Sequence, residues 1–244
     1  MNVYKSSAQL KADAREKLIG KYGTVIAASL IVQLISYIVA AIAGFMTDVS
    51  LAGYVIYYAV CFIMELINAV FTVGLIYLNL NISCNRDFKT SDVFYGFRTH
   101  PDKAIICKLI VFLFTLLFLA PAIVLTLLYV FLEWNAVFLP IISLLYVIGT
   151  IAAIWIHLQY SQIFYLMLDF PEYSAKELLS LSKEVMKGNM GRLFYIHVSF
   201  LPLYLLGLCS LGIGFFFIYP YRNMTLAQFY LNLIACRQKA AYSD

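Results

Sequence analysis

Long apolar runs alternate with short charged ones along the whole chain. Residues 22–47, 109–132, 134–168 and 193–221 carry no charge, and 54–82 carries only Glu65. Each is long enough for a membrane-crossing helix, which needs about 20 mostly apolar residues. A weaker run, 214–232, reads GFFFIYPYRNMTLAQFYLN and holds Pro220, Arg222, Asn223 and Thr225. The pattern predicts an all-α polytopic membrane protein with six transmembrane helices, folded as a single integral membrane domain over 1–244. The rival count is five, with 193–219 as one span. That span would lay about 40 Å of helix across roughly 30 Å of hydrocarbon, an excess that only tilt could absorb. The stretch 209–214, CSLGIG, offers a tight glycine-containing turn that yields six.

The polar connections have periodicity of their own. The first predicts a short helix from Ser7 to Leu18, with Ser6 and Gln9 as a capping box and Leu10, Ala14 and Leu18 on one face. Another starts at Ser174, with Glu177 completing its capping box, Leu178, Leu181 and Val185 as its stripe and Gly188 as its stop. Between them, 91–97 is shorter, with Val93, Phe94 and Phe97 apolar and Pro101 beyond. These three amphipathic helices are expected to lie flat at the interface, apolar faces in the headgroup boundary and lysines towards anionic lipid. The chain then reads as three units, 7–82, 91–168 and 174–236, each an interfacial helix followed by two spans. Even numbers of spans give all units one orientation, hence a parallel three-fold repeat. Unrelated loop helices would produce the same pattern, and residue identity between the units is poor.

Composition sharpens the class. Of the 244 residues 63% are hydrophobic and 12% charged, against about 25% charged in soluble domains, so a fold in water would expose large apolar patches. The first run is too long for the apolar region of a signal peptide and follows a charged segment, so it is expected to be a retained helix. All but one of the 17 Lys and Arg residues fall in alternate connections. That bias predicts that both termini lie on the cytoplasmic side. The net charge of +4 follows from this bias and calls for no nucleic-acid partner. The exception is Arg222.

At six spans Arg222 would lie about 16 Å deep, where a charge costs about 2.5–3.5 kcal/mol or more. Glu65, the lone acid within a clear span, has a matching depth, as does Gln33; Asn68 shares the Glu65 face. The expectation is a midplane cluster of Gln33, Glu65, Asn68, Arg222 and Asn223, helped by a kink or break at Pro220. The alternatives are a short sixth helix, an Arg222 that snorkels to an interface, or a Glu–Arg pair that only staples the fold. Nothing reads as an enzyme. There is no GxSxG, Walker A or HExxH motif and no paired-carboxylate spacing. The five cysteines and three histidines lack metal-ligand spacing, so neither metal nor cofactor is expected.

Several pieces of the second half carry a family resemblance. They are Asp169-x-Pro171, Ser182-x-x-x-Met186-Lys187-Gly188, Arg192-Leu193-Phe194, Gly212-Ile213-Gly214, Pro220-Tyr221 and Phe229-Tyr230. With the N-terminal LKADAREKLIGKYG, the chain resembles the bacterial membrane family catalogued as domain of unknown function nine-seven-five. One departure is Leu201-Pro202-Leu203, where that family suggests a tryptophan-containing stretch. The resemblance implies a polytopic membrane protein, mostly of Gram-positive bacteria, and no particular activity. A remoter likeness is to the membrane domain attached to some glycerophosphodiester phosphodiesterases, at the level of fold alone. Two functions lead, ahead of an intramembrane lipid enzyme, which no nucleophile–base pair supports. One is a non-catalytic membrane module that binds membrane lipids, through anionic headgroups at the cytoplasmic face, or a protein partner or second copy. The other is a small transporter or channel-like protein using the polar site around Arg222 and Glu65. A water-accessible pocket reaching Arg222 favours anion binding or transport; a dry bundle favours the module.

Overall fold

The computed structural model describes residues 4–47, 50–132 and 136–241. Trp134, the first residue of the apolar run 134–168, falls outside that set, as do Asp48, Val49 and Glu133 between the predicted spans. Helix α1 (Ser7–Leu18) leads into α2 (Tyr22–Met46) and α3 (Leu51–Ser83). A 3-10 turn (Thr90–Phe94) and α4 (Tyr95–Arg98) precede α5 (Pro101–Phe131) and α6 (Leu139–Gln159). The short α7 (Ile163–Asp169) and α8 (Ala175–Met186) follow. The chain then forms α9 (Met190–Val198), α10 (Leu201–Cys209) and α11 (Phe215–Ala241). Among the described residues there is no strand. Five segments there are long and apolar enough to cross a membrane: Tyr22–Met46, Leu51–Ser83, Pro101–Phe131, Ala136–Asp169 and Met190–Cys209. The protein is thus an all-α polytopic membrane protein. The 27-residue α11, expected as the sixth span, is not among those five.

Local sequence explains where the helices begin. Ser6 accepts the Gln9 N–H while Gln9 Oε1 accepts the Ser6 N–H at 2.8 Å, and Ser174 and Glu177 do the same for α8. Each box satisfies two amide donors that a helix start otherwise leaves without partners. Pro101 opens α5, where the missing N–H costs nothing. Pro220 does not break α11, contrary to expectation. It is the sixth residue of that helix, and the helix continues past the one ladder bond it removes. Breaks fall instead at Tyr160–Gln162, between α6 and α7, and at Ser199–Phe200, between α9 and α10.

Two hairpins form the apolar part. Ser36 of α2 donates to Asn68 Oδ1 of α3 at 2.9 Å, and Phe62 of α3 packs on Phe112 of α5 with ring centroids 5.0 Å apart. Thr126 and Tyr146 hydrogen-bond across α5 and α6 at 3.2 Å. Below this level the C-terminal half of α3 is enclosed by protein. Gly74 and Gly96 permit the approach. A Cβ on Gly74 would lie 2.0 Å from the Val93 carbonyl oxygen, and one on Gly96 would lie 2.2 Å from that of Val70.

The short helices complete this enclosure, which corrects the expectation that their apolar faces lie in lipid, except at Phe94 and Phe97, which are exposed. Leu10, Ala14 and Leu18 of α1 are 0–1% exposed. They pack with Val25, Leu78 and Met224 on one side and with Phe229 and Leu233 on the other. Leu178 and Val185 of α8 and Val93 of the 3-10 turn are likewise buried in protein. The ends of α3 and α11 run beyond the apolar hairpins and supply the cover that lipid was expected to give. Polar contacts fix the register. Arg192 donates to the Lys5 carbonyl at 2.9 Å, the Lys5 N–H donates to Asn232 Oδ1 at 3.2 Å, and Lys11 Nζ donates to the Ser199 carbonyl at 2.9 Å. Lys11 thereby satisfies a carbonyl at the α9–α10 break.

Candidate functional site: a cationic cavity at Arg222

The expected five-residue cluster separates into different places. Glu65 forms an ion pair with Lys108 Nζ at 2.7 Å, their side chains 54% and 29% exposed. Asn68 bonds Ser36, and Glu65, Asn68 and Ser36 line a cavity of about 180 Å³ between α2 and α3. Gln33 is exposed and lines neither this cavity nor the one at Arg222. Arg222 and Asn223 line a separate cavity of about 300 Å³, with Thr72, Asn79, Ser161 and Tyr165. Thr72 and Asn79 lie seven and fourteen residues beyond Glu65 on α3, about 10 and 21 Å along its axis. The depth match fails because α11 packs against α1 and the far end of α3, not against the Glu65 level.

Three elements build the Arg222 cavity. The C-terminal half of α3 contributes Thr72 and Asn79, seven residues apart and therefore on one face. The α6–α7 break contributes Ser161, and α7 contributes Tyr165. Tyr165 stacks on Tyr230 of α11 with ring centroids 4.8 Å apart, and the Tyr230 hydroxyl donates to Asp169. That contact anchors α11 to α7 and fixes the wall opposite α3.

Arg222 is half-buried, and among the described residues no carboxylate forms an ion pair with it. Its Nη2 lies 3.5 Å from His197 Nδ1, an imidazole nitrogen that brings no negative charge. Asn79 is 2% exposed; its Nδ2 donates to the Leu75 carbonyl at 2.7 Å, while its Oδ1 has no hydrogen-bond partner. A partly desolvated guanidinium without a counter-carboxylate, in a cavity that offers Thr, Ser, Asn and Tyr groups among apolar Leu75, Ile76, Phe164 and Leu226, is suited to an anionic oxygen. Among the described residues no group of His, Cys, Asp and Glu side chains could hold a metal ion.

Sequence reasoning named Arg222 and Asn223 but missed Thr72, Asn79, Ser161, Tyr165 and His197. The available signal was the same-face spacing of Thr72 and Asn79 within an apolar run. Nothing local in the sequence indicates that the α6–α7 break delivers Ser161 to the same place.

The fold is that of a polytopic helical membrane protein with a cavity lined by Arg222. Residues 1–237 match the family described as protein of unknown function (DUF975), and the chain belongs to that family. No curated protein and no solved structure matches the chain.

Proposed function

We propose that the protein is a non-catalytic membrane module that binds an anionic group, a lipid headgroup phosphate or a free anion of the same chemistry, in the Arg222 cavity. The observation that carries this reading is a half-buried guanidinium lining about 300 Å³ of space with no carboxylate paired to it. A guanidinium with no carboxylate beside it makes its strongest hydrogen bonds with an anionic oxygen, so the site gains most from an anion. The lysines and arginines of the connecting segments support both termini in the cytoplasm, and the resemblance drawn from the sequence implies a bacterial plasma membrane. They also favour anionic lipid at that face. The test is thermal unfolding in neutral detergent, with phosphatidylglycerol or inorganic phosphate added. Wild type is expected to gain several degrees with the lipid, and Arg222→Gln is expected to lose that gain while Lys187→Gln keeps it. A gain with phosphate alone would identify a free anion as ligand. Equal gains in wild type and Arg222→Gln would remove the reading.

A second reading, a small anion transporter, draws support from the α6–α7 break beside the cavity. Membrane helices interrupted in this way often line substrate sites. Anion uptake into proteoliposomes that depends on Arg222 would favour it over a binding module.

A further inference from the structure

We propose that α10, the turn after it and the start of α11 form a half-inserted hairpin, whose tip ends among the acyl chains of the leaflet nearest the start of α2. The first observation is a contact. Tyr22, the first residue of α2, packs on Phe217, the third residue of α11, with ring centroids 6.2 Å apart. The far end of the 25-residue α2, Met46, lies about 36 Å further along its axis. The hairpin turn at 210–214 is only three to seven residues from Phe217. Even fully extended, those residues span at most about 25 Å, and the turn here is folded by bonds from Gly212 N to Gly207 O and from Ile213 N to Ser210 O. The tip therefore stays short of the surface that the α2–α3 hairpin reaches.

The second observation is the company the hairpin keeps. Its base is clasped to α1 and the residues before it: Lys11 bonds the Ser199 carbonyl just ahead of α10, and Lys5 bonds Asn232 of α11 and Arg192 of α9. Helix α1 carries Lys11, Asp13, Arg15, Glu16 and Lys17 within twelve residues. Full insertion of the hairpin would carry those charges into hydrocarbon. Each costs about 2.5–3.5 kcal/mol at the bilayer centre on insertion scales, so α1 acts as a stop.

The third observation identifies the occupant of the tip's surroundings. The tip is apolar and uncovered: Leu211 is 94% exposed, and Leu208 and Ile213 are also exposed. The hairpin base holds Arg192, Asn232 and Arg237, with Arg237 paired to Glu184. A polar base and an apolar tip on one short hairpin match insertion into a single leaflet. The inference stands on packing and does not need Arg222 to bind anything. It does bear on the proposed site. Arg222, five residues past Phe217, then lies near headgroup depth, which makes a lipid phosphate of that leaflet the natural source of the anion.

The native Cys209, exposed at the end of α10, reports on this directly. The chain carrying the single substitution Thr47→Cys is treated with a membrane-impermeant maleimide, and the labelled cysteines are mapped by peptide mass spectrometry. Of intact cells and inverted vesicles, the preparation used is whichever labels position 47. The expected result is at least tenfold lower labelling of Cys209 than of position 47 from that side. Comparable labelling of the two from the same side would overturn the inference, whatever the outcome of the lipid measurements.

Discussion

The two halves of α3 make the most instructive comparison in the molecule. In the first half, residues 51–68, only Gly53 and Met64 are buried. In the second half, residues 69–83, eleven positions from Ala69 to Ser83 are buried. Both halves are apolar, and both would be scored as membrane-spanning. The first half faces lipid with its neighbours α2 and α5. The second is wrapped by the 3-10 turn, α4, α7, α11 and α1. The same contrast separates whole helices. In the most apolar stretch of α5 11% of residues are buried, against 39% in α3. Hydropathy reports how much a segment avoids water and is silent on whether lipid or protein replaces it.

The sharpest way to break the comparison is to push a methyl group into the wrapped half. Gly74→Ala places its Cβ 2.0 Å from a backbone carbonyl that cannot rotate away. It should cost about 3 kcal/mol or more, read as a lowered midpoint of unfolding in mixed micelles. Gly44→Ala, whose Cβ would meet Tyr57 at an ordinary 3.6 Å, should leave that midpoint unchanged.

Removing packing should discriminate the halves almost as strongly. Leu78→Ala, fully buried, is expected to lose about 2–5 kcal/mol. Ile56→Ala, on the exposed face of the first half, should lose about 0.5 kcal/mol or less. Equal losses would mean that the lipid-facing half packs against something absent from this fold, such as a second copy.

The capping box of α8 tests a helix that packs on α7, one of the elements wrapping the second half. Ser174→Ala should cost about 1 kcal/mol. Hydrogen bonds from the Ser174 N–H and hydroxyl hold the Glu177 carboxyl below its ordinary value. A depressed carboxyl contributes stability fully above its unfolded-state value and loses it as pH falls through the lowered one. The gap between wild type and Ser174→Ala should therefore narrow on acidification. A gap that widens as pH falls would contradict the assignment.

The smallest effect concerns the charges. A double-mutant cycle on Glu65→Gln and Lys108→Gln should give a coupling of about 0.5–1 kcal/mol, because the pair is in contact but partly exposed. The cycle on Glu65→Gln and Arg222→Gln should be additive within about 0.3–0.5 kcal/mol, as distant sites are.

Much of this architecture was legible in the order of apolar and polar residues. The runs at 22–47 and 109–132 became α2 and α5, and the serines at 6 and 174 began the helices their spacing indicated. What failed was depth. Placing Glu65 and Arg222 in one plane assumed that α11 runs beside the other spans from one surface to the other. The contacts Tyr22–Phe217 and Lys5–Asn232 instead bind α11 to α1 and the start of α2. Long-range packing of that kind leaves no periodic trace in the chain. The same limit hid the site. Arg222 was conspicuous as a charge among apolar residues, whereas Asn79 and Ser161 are neutral and unremarkable until the α6–α7 break brings them to it. The stripe Leu10, Ala14 and Leu18 was read correctly as a buried face and assigned to the wrong neighbour, because a headgroup boundary and a protein groove make the same demand on a helix.

The measurement that bears most directly on the central claim is native mass spectrometry of the protein released from membranes in a neutral detergent. Wild type and Lys187→Gln should each retain an anionic phospholipid, and Arg222→Gln should lose it while remaining folded by circular dichroism. Retention of the same lipid by a folded Arg222→Gln protein would contradict the assignment of the cavity as the anion site.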